Sequence, residues 1–309
     1  MLSPKIQSQF DKVTKHLYIN PLEKCNLRCK ICYTKKTSPI LSEQQILDFV
    51  ARYQQTSPLA TITFCGGEVF ALAYYPNLVN TLTGQGIFCQ MITNGTLDRL
   101  NEFENPNFCN LIVSLDGIPT YHDRNRGKGT FATSLAFLKH AKELGFHYEI
   151  FSIVTAQNLK TMNEFEEYLT KELGGLPQIT YHPRKPPTYL QAHPVSNILG
   201  ETEGFDFLST DEMLQLMRTK NVFPPKDLGC FQIALVSSGQ IHGCCEGTIP
   251  LGRMEEPIND LLEKLHQRVE TWEATNTLHN CLGCSQSEFM CGIKEYLLEI
   301  QKHESGTTH

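Results

Sequence analysis

Short apolar runs alternate with longer amphipathic segments over the first 183 residues of the chain. Six of the runs are rich in β-branched and aromatic residues and are predicted as strands: residues 16–20, 59–64, 86–93, 109–115, 148–155 and 177–182. Apolar residues recur at helical spacing in three segments between them: residues 41–55, 130–145 and 158–174. Strands separated by helices of this length indicate right-handed βαβ crossovers and a parallel sheet. We therefore predict an α/β fold, a partial (β/α)6 barrel, with a flat doubly wound sheet as the alternative.

The predicted helices carry their own end signals. Ser42 and Gln45 match the pattern of a capping box at the start of the first helix. Gly145 and Gly174 stand where the two later helices should end, because glycine readily adopts the left-handed conformation that closes a helix.

The alternation stops after residue 183, which divides the chain into three parts. Residues 184–225 contain five prolines and one clear helical pattern, near residues 210–220, so we predict a linker or covering segment. The remaining residues, 226–309, are rich in cysteine and are predicted to form a smaller domain behind the barrel core of residues 1–183.

Charge and hydropathy exclude two classes of protein. The 309 residues include 27 Lys and Arg against 33 Asp and Glu, a net charge of −6, and no basic block that would suit nucleic acid. No run of eighteen apolar residues and no signal-peptide pattern is present, so we predict a cytoplasmic protein without a membrane partner. In a reducing compartment, 12 cysteines indicate metal or redox chemistry rather than disulfides.

Most of the cysteines fall into two groups. The first lies in "EKCNLRCKICY", at Cys25, Cys29 and Cys32, and the second lies after residue 229. The three cysteines between the groups, at positions 65, 89 and 109, lie in apolar stretches and are interpreted as packed core residues.

The first group has three thiols where a closed metal site has four. Four thiolates complete a structural zinc site or saturate a cubane cluster, whereas three leave one iron open. The spacing C-x3-C-x2-C after the first predicted strand resembles that of the radical S-adenosylmethionine (SAM) superfamily. The resemblance implies a [4Fe–4S] cluster held by Cys25, Cys29 and Cys32, with SAM on the open iron. A zinc knuckle with a distant fourth ligand is the alternative.

Motifs at the ends of the next three predicted strands extend the resemblance. They are Cys65-Gly66-Gly67-Glu68, Thr93-Asn94-Gly95 and Ser114-Leu115-Asp116-Gly117. A barrel of parallel strands builds its site at this edge. The glycines would let the backbone approach a ligand, and Glu68 could pair with the SAM ammonium. The resemblance implies these SAM-binding residues: Ile31, Tyr33, Gly66, Gly67, Glu68, Asn94, Ser114 and Arg126.

The stretch "SLDGIPTYHDRNRGKGTF" resembles the branch of the superfamily that carries a C-terminal SPASM or Twitch extension. A full SPASM domain needs seven or eight thiols for two clusters, and this region offers six. The resemblance therefore implies a Twitch-like domain with one auxiliary [4Fe–4S] cluster, whose ligands would be Cys230, Cys244, Cys281 and Cys284. A zinc site with the same thiols is the alternative, and Cys245 could replace Cys244. Cys291 could bind iron, donate a hydrogen atom or simply be packed.

The resemblance also implies the chemistry. An electron from a reductant such as flavodoxin or ferredoxin would cleave SAM, and the 5′-deoxyadenosyl radical would abstract hydrogen from a substrate C–H bond. We predict oxidative modification of a peptide, by crosslinking, dehydrogenation or epimerisation. A dehydrogenase or isomerase of a small polar metabolite such as an aminosugar is the alternative, and an iron–sulfur electron carrier or sensor is an alternative of another class.

Two further expectations concern the substrate. His182 and Cys291 are candidate catalytic residues, and Arg184 and Lys185 beside His182 would suit an anionic substrate at the barrel mouth. About fifteen residues precede the first strand, too few for a leader-recognition domain. A peptide substrate would therefore need a separate leader-peptide-recognition protein or a leader-independent site.

Overall fold

The computed structural model describes residues 2–185, 203–222, 232–244 and 250–274. The strands in these ranges are β1 (His16–Asn20), β2 (Thr61–Phe64), β3 (Phe88–Thr93), β4 (Cys109–Ser114), β5 (His147–Val154), β6 (Ile179–Pro183), β7 (Ile233–Val236), β8 (Gln240–His242) and β9 (Pro250–Arg253). The helices are α1 (Pro4–Val13), α2 (Glu43–Thr56), α3 (Tyr75–Gly84), α4 (Pro119–Arg126), α5 (Thr130–Glu143), α6 (Ala156–Leu159), α7 (Met162–Leu173), α8 (Thr210–Thr219) and α9 (Ile258–Ala274). Three short 3-10 turns span Val69–Ala71, Leu100–Glu102 and Pro106–Phe108.

All nine strands belong to one sheet with the order β6-β5-β4-β3-β2-β1-β7-β8-β9. From β1 to β6 every strand lies parallel beside its predecessor, as in the pairing of Ile62 with Cys89. A doubly wound sheet would reverse this order at a switch point, so the predicted partial barrel is confirmed and the flat alternative is wrong. Among the described strands β6 pairs only with β5, and the barrel is therefore open.

Side chains alternate between the two faces of the sheet. One face is apolar and fully buried, through residues such as Leu17 and Ile19 of β1 and Met91 of β3, and it joins the core formed with the helices. The other face is half-buried and more polar. On it His16 Nε2 lies 2.8 Å from Thr63 Oγ1, and that hydroxyl donates to Gln90 Oε1 at 2.7 Å.

The sheet continues past β1 into the C-terminal part of the chain. Strand β7 lies parallel to β1, pairing Leu17 with Ile233, and β8 and β9 follow as antiparallel strands. Helix α9 contributes buried residues to the same core, among them Leu261 and Leu265. The predicted domain boundary at residue 226 lies outside the described residues and stays a prediction.

Most element predictions are confirmed, but helices α1, α3, α4 and α9 and strands β7 to β9 were not predicted. The Ser42–Gln45 capping box is formed, and Gly174 ends α7 in the left-handed conformation. Helix α4 was not predicted because its sequence is almost wholly polar, and α1 and α3 were not predicted because each has only 10 residues. In the described ranges, none of the helices is long and apolar enough to cross a membrane.

Candidate functional site

Residues 21–36, which we name the cysteine loop, leave the carboxyl end of β1 and carry the three clustered thiols. Cys25, Cys29 and Cys32 are all half-buried, and none forms a disulfide. Cys25 and Cys32 are close enough to Cys29 to act on its ionisation electrostatically. The main-chain amide of Leu27 donates to Cys25 Sγ at 3.4 Å, and Cys32 Sγ lies 3.1 Å from Thr34 Oγ1.

Two cations act on the ionisation of these thiols. Burial raises the pKa of Cys29, and Arg126 opposes this effect. Burial would also raise the pKa of Cys32, but Lys36 and hydrogen bonds with Thr34 outweigh it and hold the pKa below its usual value. Cationic surroundings favour the thiolate, which is the form that binds metal.

The thiols fit a cluster better than a single ion. Within the described residues, no three His, Cys, Asp or Glu side chains converge on a point where one metal ion could bind. A cubane cluster does not require such convergence, because each thiolate binds a different iron. Three thiols on one loop, with cations beside them, therefore suit a [4Fe–4S] cluster.

The end of β2 packs directly against the cysteine loop. The amide of Gly67 donates to the carbonyl of Leu22 at 2.9 Å, and the amide of Glu68 donates to the carbonyl of Lys24 at 3.1 Å. A Cβ atom on Gly67 would lie 1.9 Å from the Lys24 carbonyl oxygen, and one on Gly66 would lie 2.2 Å from that of Leu22. Both positions therefore require glycine because the cysteine loop packs against them, and their predicted approach to a ligand stays a prediction.

Glu68 is buried and joins the ends of β2 and β3. Its Oε1 accepts from the Phe70 amide at 3.1 Å and from the Thr93 hydroxyl at 2.8 Å, and its Oε2 accepts from the Asn94 amide at 2.8 Å. Burial raises the pKa of this carboxyl group, and the three hydrogen bonds oppose the rise. Its contact with a SAM ammonium stays a prediction.

Asn94 connects the end of β3 to the cysteine loop. Its side-chain amide donates to Asn26 Oδ1 at 2.9 Å and lies 3.7 Å from Cys25 Sγ. Its side-chain oxygen accepts from the amide of Thr96, whose hydroxyl in turn accepts from Asn26 at 2.8 Å. The first thiol is therefore held from the β3 end of the sheet as well as from β1.

Asp116 organises the ends of β4 and β5. Its carboxylate accepts two hydrogen bonds from Arg126, at 2.6 and 3.0 Å, one from Asn125 at 2.8 Å and one from the Ile153 amide at 3.2 Å. Burial would raise the pKa of Asp116, but Arg126 holds it below its usual value. His122 also contacts this group, since its Nδ1 accepts from the Asp116 amide at 3.2 Å.

The ends of four successive strands thus meet around three thiols, and a family comparison identifies this arrangement. Residues 19–171 match the family model described as the radical SAM superfamily. The chain carries a radical SAM superfamily domain.

Solved structures share the fold of this radical SAM domain. A structure of "Native anSMEcpe with bound AdoMet and Cp18Cys peptide" superposes with a TM-score of 0.66 at 19% identity, covering 82% of this chain and 81% of that one. Streptococcus suis SuiB bound to precursor peptide SuiA gives a TM-score of 0.63 at 13% identity, covering 80% of this chain and 64% of that one. At these identities the likeness shows the fold alone.

A curated relative is similar in sequence over part of the chain. It is an AdoMet-dependent heme synthase of Oleidesulfovibrio alaskensis, 29% identical over 161 residues. The similar region is 49% of this chain and 41% of that protein. This chain therefore spans less than half of the length of that relative.

The remaining residues predicted to bind SAM surround the same end of the radical SAM domain. Ser114 ends β4, half-buried, on the polar face of the sheet. The Ile31 amide donates to Asn125 Oδ1 at 3.3 Å, and the Lys185 ammonium lies 5.5 Å from the centre of the Tyr33 ring.

The predicted cationic mouth is largely occupied by internal contacts. His182 is buried, with Nδ1 2.7 Å from the Pro183 carbonyl oxygen. The Arg184 guanidinium donates to the Phe205 carbonyl and lies 4.3 Å from the centre of the Phe207 ring. Arg184 therefore holds residues 203–208 against the end of β6.

Two residues of the radical SAM domain were missed from the sequence. Asp116 lies inside a motif from which only Ser114 was selected, and Asn125 immediately precedes the selected Arg126. For Asp116 the available signal was a carboxylate ten residues before an arginine. Asn125 had no such signal, because its partner Ile31 is 94 positions away.

Most of the predicted auxiliary site lies outside the described residues. This applies to Cys230, Cys281 and Cys284, and also to the two unassigned thiols, Cys245 and Cys291. Cys244 is described and is fully buried after β8, and the buried Cys89 and Cys109 are confirmed as core residues.

Proposed function

We propose that this chain is a radical SAM enzyme that abstracts hydrogen from a peptide substrate and modifies it oxidatively. The observation that carries the proposal is the placement of Cys25, Cys29 and Cys32 on one loop, among the carboxyl ends of β1 to β4. When bound there, a [4Fe–4S] cluster supplies the electron that cleaves SAM to a 5′-deoxyadenosyl radical. The rest of the chain would bind and orient SAM and the substrate, and it would exclude water from the site.

Each group of site residues has a proposed task. The three thiols of the cysteine loop hold the cluster. Arg126 and Asn94, at the rim of the same site, contact the polar ends of SAM, while Ile31 and Tyr33 flank its adenine. Gly66, Gly67 and Ser114 bind SAM from the ends of β2 and β4. Glu68 fixes the loop after β3 in addition to the ammonium contact proposed for it.

A peptide is the substrate class that fold-level likeness supports best. Both anSMEcpe and SuiB were solved with a peptide bound, and this chain shares their fold. The electron donor we propose is a flavodoxin or ferredoxin, with a separate leader-peptide-recognition protein as a further partner. His182 and Cys291 stay candidate catalytic residues.

A small-molecule substrate is the second candidate. It is favoured by the curated relative, whose name is AdoMet-dependent heme synthase. With such a substrate, the chain would be the dehydrogenase or isomerase of a small polar metabolite that was predicted from the sequence as the alternative. Mass change in candidate peptides, compared with mass change in small metabolites under the same conditions, separates the two.

The C-terminal region is proposed to hold one auxiliary [4Fe–4S] cluster through Cys230, Cys244, Cys281 and Cys284. Such a cluster would accept the electron left on the substrate, and the net reaction would be an oxidation. The buried position of Cys244 at the end of the shared sheet is compatible with a ligand there. Cys245 remains the alternative to it.

The decisive experiment is anaerobic reconstitution followed by an assay for 5′-deoxyadenosine. The wild type should form 5′-deoxyadenosine from SAM and a reductant. Replacing Cys25, Cys29 and Cys32 together by Ala should remove about four irons and abolish the product. Cys89→Ala, in the core, is the matched control and should keep both its iron and the formation of 5′-deoxyadenosine. Cleavage retained by the triple variant would contradict the proposal, and no cleavage by the wild type would favour an electron carrier or sensor.

A further inference from the structure

We infer that Asn125 is a positioning residue that fixes the conformation of the cysteine loop between Cys29 and Cys32 and thereby lowers the reduction potential of the cluster. The inference rests on the proposed function, because it concerns the thiols proposed to hold that cluster. Asn125 lies in the last turn of α4 and is only 3% exposed, although most of the loop it contacts is only half-buried.

Asn125 binds two consecutive main-chain amides of the cysteine loop. Its carbonyl oxygen accepts from the amide of Lys30 at 3.0 Å, and its side-chain Oδ1 accepts from the amide of Ile31 at 3.3 Å. Both amides lie between the second and third thiols. A single residue of α4 therefore sets the path of the chain from one proposed iron ligand to the next.

Asp116 fixes which way the Asn125 amide points. The Nδ2 group of Asn125 donates to Asp116 Oδ2 at 2.8 Å. A carboxylate held ionised by Arg126 can only accept, so Nδ2 must face it and Oδ1 must face Ile31. The amide cannot flip without placing two acceptors against each other, and the contact with the cysteine loop is thus preorganised.

The consequence concerns the hydrogen bonds that reach the sulfur atoms. Hydrogen bonds to cluster sulfurs help set the reduction potential, and each one stabilises the reduced, more negative state. The Leu27 amide already donates to Cys25 Sγ. The amides of Lys30 and Ile31 donate to Asn125 instead, so they do not add to this stabilisation. A lower potential results, which favours transfer of the electron onward to SAM.

A control residue elsewhere in the fold makes the same kind of contact. Asn80 of α3 accepts from the Glu104 amide at 2.9 Å and donates to the Glu102 carbonyl at 2.9 Å. It therefore ties a helix to a loop as Asn125 does, but in a loop without thiols. Asn80→Leu controls for the general loss of a bridging asparagine.

The test uses the reconstituted holoprotein under anaerobic conditions. Redox titration followed by electron paramagnetic resonance measures the potential of the cluster whose signal changes when SAM is added. Asn125→Leu, of similar shape but without the amide, should shift this potential to a more positive value. Hydrogen exchange of the Ile31 amide, which loses its side-chain acceptor, should become faster in that variant. Asn80→Leu should change neither reading.

Two outcomes would overturn the inference while leaving the proposed function intact. The first is an unchanged reduction potential in Asn125→Leu, together with normal SAM cleavage by the wild type. The second is rapid hydrogen exchange of the Lys30 and Ile31 amides in the wild type, which can be measured without a variant. If Asn125→Leu does not fold, Asn125→Ala removes the same side-chain contacts. A wild type without iron or 5′-deoxyadenosine would instead overturn the proposed function.

Discussion

Asp116 and Arg126 form a buried ion pair in which the guanidinium donates from Nε to one carboxylate oxygen at 2.6 Å and from a terminal nitrogen to the other at 3.0 Å. The Asp116 side chain is fully buried and that of Arg126 is 12% exposed. Two-point contacts of this kind fix the direction of the guanidinium as well as its position. The pair joins the end of β4 to the end of α4, beside the cysteine loop.

Asp116→Ala should destabilise the protein by about 3 to 5 kcal/mol, because Arg126 would be left as a buried charge without its partner. Urea unfolding monitored by circular dichroism measures the change. Glu102→Ala, which removes the exposed partner of Arg99, is the control and should have a much smaller effect. Equal losses in the two variants would show that the Asp116 pair is not buried in solution.

Gly67→Ala should prevent cluster binding. Its new Cβ would meet main-chain atoms of Lys24 at 1.9 and 2.3 Å and of Glu23 at 2.6 Å, so the cysteine loop would have to move away from β2. Iron content after reconstitution measures the effect. Gly84→Ala, at the end of α3 with nothing within 4 Å of the added atom, should bind iron normally. Full iron content in Gly67→Ala would contradict the packing of the loop against β2.

Glu68→Gln should weaken SAM binding and lower stability while leaving the iron content intact. Whichever way the new amide points, its NH2 group faces the main-chain amide of either Phe70 or Asn94. One buried donor is left unpaired, at a cost of about 1 to 3 kcal/mol. Calorimetric titration with SAM and urea unfolding measure the two effects.

Glu43→Gln, at the half-buried first residue of α2, is the control for Glu68→Gln and should change neither property. If Glu68→Gln bound SAM with wild-type affinity, the hydrogen bonds of Glu68 to the loop after β3 would have no role in the SAM site. A large loss of iron would instead place its effect on the cysteine loop.

The free energy of unfolding should fall as the pH is lowered from about 6.5 to about 4. Burial lowers the pKa of His16 and of His122 from 6.5 to about 4 in the folded chain. The unfolded chain therefore takes up protons in this range that the folded chain does not, and stability is lost on acidification. Each histidine should contribute up to about 3 kcal/mol, at 1.36 kcal/mol for each pKa unit.

Urea unfolding of the metal-free protein at a series of pH values measures this dependence without the acid lability of a cluster. The double variant His16→Gln with His122→Gln should show a flatter profile between pH 4 and 6.5. A slope as steep as that of the wild type would mean that other groups cause the acid sensitivity. Above about pH 7 the two histidines should contribute no slope.

Reconstituted wild type should hold about eight irons, and Cys281→Ala with Cys284→Ala should hold about four, by the rule of four thiolates to a closed cluster. The double variant should still cleave SAM but lose oxidised product. Cys291→Ala should keep both clusters, and loss of product there would favour hydrogen donation by that thiol. Iron near four with one zinc would refute the auxiliary cluster, and iron near twelve would indicate a second one.

The fold could be predicted from the sequence because its signals are local. Each strand from β1 to β6 is a short β-branched or aromatic run, and helix ends such as Ser42 and Gly174 are marked by single residues. The cysteine loop was equally visible, since its three thiols lie within eight positions. What the sequence could not supply was the partner of each site residue.

Contacts across the site join residues far apart in the chain, which explains what was missed. Ile31 meets Asn125 only because α4 follows β4 back over the cysteine loop, and no pattern in either segment indicates this. A second reason for the glycine at position 67 was also not visible in the sequence. A Cβ atom there would meet the main chain of Lys24, 43 positions earlier.

The position of β1 within the sheet has a consequence for the integrity of the whole molecule. Strand β7 lies along one side of β1 and β2 lies along the other. The strand that leads into the cysteine loop is therefore an interior strand, and its main chain is paired on both sides. Without residues 233–236, β1 would become an exposed edge, open to pairing with a second molecule. Residues 233–236, which lie beyond the family match at residues 19–171, thus keep the strand that leads into the cysteine loop from becoming such an edge.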